Sequence, residues 1–224
     1  LEQTTVKAIY NRGFLRPANF QSAGASVLKV ESEIMDQVEL QLMQYIGEGR
    51  IMVAGYWQKL SGFINILSGS DYPGFANSGD YSSKGVEAEG TYRLFDDYEV
   101  WANAYYSLAT AENFPDDLNF NSIRVDPDGV LLSYPKYIVN GGVTASLLEG
   151  KLTISPALRV TAPTRYRQAP IDSTASTIEE CTHGYTDRFV YLDLGVSYRP
   201  RDFAELYLYA DNLLDERTPT HLSV

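Results

Sequence analysis

Residues 189–215 read FVYLDLGVSYRPRDFAELYLYADNLLD. In the first half, Val190, Leu192, Leu194, Val196 and Tyr198 share one face of an extended chain. Tyr191, Asp193, Ser197 and Arg199 share the other. Successive side chains of a strand point to opposite faces, so this period of two predicts a β-strand over 189–200. RPRDF at 199–203 interrupts the pattern, which resumes over a second strand predicted at 204–215. Two alternating runs joined by so short a link read as an antiparallel hairpin.

The same rhythm runs back through the chain. Leu152, Ile154, Leu158 and Val160 oppose Thr153, Ser155, Arg159 and Thr161. Val100, Ala102, Ala104, Tyr106 and Leu108 oppose Glu99, Asn103 and Ser107. Val86, Ala88, Tyr92 and Leu94 oppose Glu87, Glu89, Thr91 and Arg93, and Val38, Leu40 and Leu42 oppose Gln37, Glu39 and Gln41. Nine strands are predicted, at 3–11, 34–46, 51–60, 82–94, 98–111, 136–148, 151–162, 189–200 and 204–215. Most exceed the roughly 5–6 residues usual in globular sheets and reach the about 9–11 that a tilted membrane-crossing strand needs.

Connection lengths separate a membrane barrel from a soluble sandwich, which shares the alternation. Tight turns fall at 47–50 (GEGR), around Asp96 and Asp97, at 148–151 (LEGK) and at 199–203. Long connections fall at 12–33, 61–81, 112–135 and 163–188, and are read as loops without strands of their own. Short alternating with long is the pattern of periplasmic turns and extracellular loops. Long loops are uncommon even singly in a compact domain. The chain has no apolar run of the about 20 residues a membrane helix needs. The fold class is therefore all-β: an antiparallel transmembrane β-barrel.

Composition excludes several roles. The net charge of −11 argues against nucleic acid as a partner. Cys181 is the only cysteine, so no intrachain disulfide forms. The 17 tyrosines suit strands and interfacial aromatic girdles. Trp57 falls on the apolar face near a strand end, as a girdle residue should, whereas Trp101 falls on the polar face.

Three stretches resemble TonB-dependent outer-membrane receptors. YLDLGVSYRPRDFAELYLYADNLLDERTPT (191–220) is similar to the family's late strand, turn, strand and Asn-Leu-x-Asp element, here carried by Asn212, Leu213 and Asp215. SSKGVEAEGTYRL (82–94) and SYPKYIVNGGVTASLLEGKLTISPALRV (133–160) resemble two further strand units, and NRGFLRPANF (11–20) resembles a fourth element more loosely. The resemblance implies a 22-strand barrel, of which about nine strands lie here. It also implies a plug domain and a TonB box, so residues 1–224 are expected to be a barrel segment lacking the plug and the final strand. Nine strands without closure leave two raw sheet edges.

What the resemblance implies of function is energy-dependent uptake of a scarce, large ligand across the bacterial outer membrane, with a ferric siderophore first. The implied partners are the TonB energy-coupling complex acting through the plug, the receptor's own plug domain, and outer-membrane lipid and lipopolysaccharide. Haem is disfavoured because few histidines, His183 and His221, are available to ligate its iron. A small self-contained barrel, porin or adhesin, remains an alternative, as does a soluble β-sandwich binding module.

No catalytic residues are assigned: the chain has no nucleophile-elbow, phosphate-loop or zincin motif. No cofactor or metal site is assigned. Glu179, Glu180, Cys181 and His183 lack a second ligand pair, and Asp126 and Asp128 read as a turn. Ligand-binding candidates lie in the long connections: Tyr72, Phe75, Arg165, Tyr166, Arg167, Tyr185 and Arg188. Guanidinium forks suit carboxylate- or catecholate-rich anions, and tyrosine adds stacking and a hydroxyl. Glu87 and Glu89 face the expected lumen and are the candidates for contact with a plug. Asn212, Leu213 and Asp215 are read as structural.

Overall fold

The computed structural model describes residues 3–18, 30–67, 74–77, 79–112, 129–131, 134–168 and 182–217. The first strands are β1 (Thr4–Leu15), β2 (Glu33–Ile46), β3 (Gly49–Ser61), β4 (Ile64–Leu67), β5 (Gly74–Asn77), β6 (Asp80–Leu94) and β7 (Tyr98–Glu112). There follow β8 (Tyr137–Leu147), β9 (Leu152–Thr161), β10 (Arg165–Gln168), β11 (Thr182–Tyr185), β12 (Phe189–Arg201) and β13 (Ala204–Ala210). No helix of the described residues is long and apolar enough to cross a membrane.

Nine of these strands form one antiparallel sheet in the order β1-β2-β3-β6-β7-β8-β9-β12-β13. They are the nine strands the alternation predicts. The sheet is a meander, each long strand pairing with the next, because tight turns force neighbours to be antiparallel. At two connections the expected absence of strands is corrected. β4 pairs with β5 and β10 with β11, each a four-residue hairpin within a long connection. Such short runs are below the length at which alternation can be recognised. The final predicted strand, 204–215, stops at Ala210. Asn212 there takes φ +50°, a left-handed conformation that breaks the pleat.

The register places every apolar series on one face. One row crosses eight strands: Val6, Leu42, Val53, Ala88, Ala104, Val139, Val160 and Val190 stand opposite one another in turn. Nothing in the described structure covers this face: Val6 is 64%, Leu40 58% and Leu206 65% exposed. Among the described residues only Ala54, Ile64, Ala109, Ala162 and Phe189 are buried apolar residues. A soluble sandwich needs a second sheet over its apolar face, so that alternative is set aside. Hydrocarbon is the solvent that fits such a face, and Trp57 stands on it as the girdle reading requires.

The opposite face is polar and holds itself together by lateral bonds. Asn140 Nδ2 donates to Asn103 Oδ1 (2.7 Å), and Arg159 Nε donates to Asn140 Oδ1 (3.0 Å). Gln37 and Gln41 both donate to Glu39. Aromatic rings also cross this face by lying over glycine. Trp101 stands opposite Gly142, and a Cβ at Gly142 would meet its ring at 2.8 Å. The polar-face position of Trp101 is therefore a packing site on the lumenal wall. β1 and β13 each pair on one side only among the described residues, so the sheet is an unclosed arc of barrel wall.

Candidate functional site at the lumenal mouth

Short turns mark the periplasmic end, so the long connections and hairpins lie at the extracellular end. Near that end the polar face carries a cluster of hydroxyls. Tyr56 on β3, Gly85 on β6 and Ser107 on β7 stand side by side in the ladder. Because Gly85 has no side chain, the Tyr56 ring lies across it and donates to Ser107 Oγ at 2.8 Å. Ser83 Oγ joins Ser107 Oγ at 3.1 Å. Ser107 is 4% exposed and is satisfied by these neighbours, as a buried hydroxyl must be.

The connection after β7 folds back onto this cluster. Leu131 N donates to Ala109 O (2.9 Å), Ala111 N to Gly129 O (2.7 Å) and Ser107 N to Lys136 O (2.8 Å). These bonds bring Tyr134 over the wall. Its hydroxyl is buried beside the Ser107 hydroxyl and makes no hydrogen bond of full geometry among the described residues. Burial raises the Tyr134 phenol above its ordinary pKa, so it stays protonated and able to donate. Gln58, Tyr81, Glu87, Tyr105, Ser107 and Tyr134 line a recess of about 470 Å³. Apolar Met35, Leu60, Ala109 and Leu131 also line it, with Tyr56, Ser82 and Ser83. Aromatic faces with a few convergent polar groups are the usual make-up of a ligand site.

Sequence reasoning missed Tyr56, Tyr105, Ser107 and Tyr134. A signal exists for Tyr105, which shares the polar face with Asn103 and Ser107. Nothing local to Tyr134 announces that it folds back.

The predicted candidates separate by position. Glu87 lines the recess and makes no ion pair among the described residues. Glu89 is engaged by the wall itself, through Arg50 on the adjacent strand at 3.1 Å. Arg165 stands opposite Tyr185 in the β10–β11 hairpin, with Tyr166 opposite Gly184 and Arg167 opposite His183. Tyr185 is exposed, as is Arg188 just before β12. Phe75 lies on β5 opposite Ile66. Tyr72 lies outside the described residues, as do Asp126, Asp128, Glu179, Glu180 and Cys181. Among the described residues no three His, Cys, Asp or Glu side chains cluster as a metal site.

Asn212 and its neighbours form a closed turn beyond β13. Asn212 N donates to Asp193 Oδ1 (2.8 Å), Asn212 Nδ2 to Glu216 O (2.9 Å), and Glu216 N to Asn212 Oδ1 (3.0 Å). Leu213 N donates to Leu192 O (2.7 Å). Asp215 also takes φ +50° and pairs with Arg217 at 3.0 Å. Asparagine suits this site because its amide closes the turn and it tolerates left-handed backbone. Asn212→Ala is expected to lower stability by about 1–2 kcal/mol, through two lost hydrogen bonds and a strained φ. Asn212→Gly should lose less, since it keeps the conformation. Denaturant unfolding of the two variants checks the order.

A family described as TonB dependent receptor-like, β-barrel matches residues 1–213. This chain belongs to the TonB-dependent receptor family. The match places it in the outer membrane, with the apolar face toward lipid. Solved receptors share its fold. Against the pyoverdine receptor FpvA from Pseudomonas aeruginosa the TM-score is 0.75 at 12% identity, over 97% of this chain and 31% of that one. Against the FrpB iron transporter from Neisseria meningitidis it is 0.72 at 13% identity, over 95% and 33%. Against the copper transporter OprC it is 0.67 at 18% identity, over 96% and 32%. The chain spans about a third of the length of these solved receptors. No curated protein matches it. The family and these structures are transporters and receptors.

Proposed function

We propose that this barrel segment forms part of the wall of an outer-membrane receptor for energy-dependent uptake of a scarce, large ligand, with a ferric siderophore as the first candidate. The observation that carries the reading is the recess at the lumenal mouth, where phenols, seryl hydroxyls and the buried Tyr134 hydroxyl converge. Beyond β9 and β12, the β10–β11 hairpin puts Arg165, Arg167 and Tyr185 on one small extracellular element. Guanidinium groups there suit an anionic chelate, and the phenols of the recess suit a hydroxyl- and carbonyl-rich body. Coupling would run from TonB through the receptor's plug, with Glu87, which makes no ion pair among the described residues, facing it. No step requires catalysis by this chain.

The test is uptake of iron presented as a panel of ferric siderophores, by cells expressing the intact receptor with and without TonB. TonB-dependent uptake of at least one chelate is expected. Arg165→Ala with Arg167→Ala should weaken binding about tenfold or more, the scale of a lost charge-assisted contact. Unchanged uptake by that double variant would remove the arginines from the reading. Uptake that ignores TonB, or no uptake of any chelate, would overturn the siderophore assignment.

A further inference from the structure

The lipid face carries one feature that uptake does not use. Between Trp57 on β3 and Val86 on β6 runs a groove of about 550 Å³, bounded also by Val38, Leu40 and Tyr106. Its floor is Gly55, which stands between Leu40 and Val86 in the ladder. A Cβ built at Gly55 meets nothing within 4 Å, so the missing side chain is what opens the groove. Lys84 stands opposite Trp57 and Leu108 on the same face, at the extracellular end of the groove. One rung further out, Lys59 pairs with Asp80 at 3.1 Å. Lys84 makes no ion pair among the described residues.

A lysine on the lipid face is unfavourable unless its ammonium reaches the interface. At the extracellular end that interface is the headgroup layer of the outer leaflet. An apolar slot along the lipid face with the Lys84 ammonium at its outer end is complementary to a lipid with an acyl chain and a phosphate. We propose that this groove is a binding site for one acyl chain of a phosphate-bearing outer-leaflet lipid, with Lys84 holding the phosphate. The site depends only on the lipid-facing register, so it stands or falls apart from the transported ligand.

The probe is diphosphorylated lipid A, titrated into the intact receptor in mild-detergent micelles, with bound lipid counted by native mass spectrometry. One molecule should be retained in preference to the dephosphorylated form. Lys84→Gln should weaken that retention about tenfold or more. Gly55→Leu should weaken it similarly by filling the slot, and open space at Gly55 lets the fold persist. Lys7→Gln, on the lumenal face, should leave it unchanged. Equal retention of the two lipids, or full retention by either variant, would overturn the proposal and leave only non-specific surrounding lipid. So would a wild-type dimer that Gly55→Leu dissolves, because a second copy would then be the occupant.

Discussion

Gly85→Val is expected to prevent stable assembly of the barrel wall. A Cβ at Gly85 would stand 2.5 Å from the carbonyl oxygen of Tyr106 and 2.6 Å from the Tyr56 hydroxyl. The tyrosine can swing away, but the carbonyl belongs to the adjoining strand and can move only with the ladder. Swinging Tyr56 away also removes its bond to Ser107, a buried hydroxyl. Overpacking of this kind typically costs about 1–3 kcal/mol, and a backbone obstacle with a lost buried bond puts Gly85→Val at the upper end or beyond. Gly55→Val is the matched control, with nothing within 4 Å of its Cβ, and should be nearly neutral. The measurement is the fraction of intact receptor that resists detergent denaturation before heating. Equal fractions for the two valine variants would mean that Tyr56 does not lie over Gly85.

Leu40→Arg is the second large effect, and its value lies in the contrast with Gln41→Arg. Leu40 sits midway along β2, 58% exposed on the apolar face. Arginine on the lipid face near the bilayer midplane costs roughly 2–4 kcal/mol. Gln41 is the adjacent residue on the lumenal face, opposite Lys7 and Ala54. An arginine there meets Glu39 and water, so its cost should be under about 1 kcal/mol. Unfolding of both variants in lipid bilayers gives the two values directly. Similar losses would mean that the face assignment is wrong, since one step along a strand exchanges lipid for lumen.

Face assignment was the part most legible in the sequence. Val190 to Tyr198 and Val100 to Leu108 alternate so regularly that strand existence, direction and apolar side followed without any tertiary information. The pairing register agrees, because tight turns leave little freedom in how adjacent strands meet. The last strand is predicted too long because Leu214 keeps the parity of Leu206, Leu208 and Ala210. Its end depends on Asn212 bonding to Asp193 and Glu216, a choice made by a neighbouring strand and a later residue. The hairpins β4–β5 and β10–β11 were unreadable because four residues carry too little pattern.

The candidate site was legible only in fragments. Alternation alone puts Glu87 on the lumenal face, where it lines the recess. That Glu89 is taken by Arg50 depends on which strand lies beside β6, and β3 lies beside it because a long connection returns there. Tyr56, Ser107 and Tyr134 are far apart in the chain and meet only when β3, β6 and β7 align and the β7–β8 connection folds back. The sequence by itself therefore determined a membrane barrel, its two faces and its nine long strands, because period-two alternation and turn spacing are local properties of the chain. Only the tertiary structure decided which polar groups are satisfied by the wall and which stay open to a ligand or a lipid, because hydrogen bonds and grooves between strands are properties of neighbours that the chain order does not name.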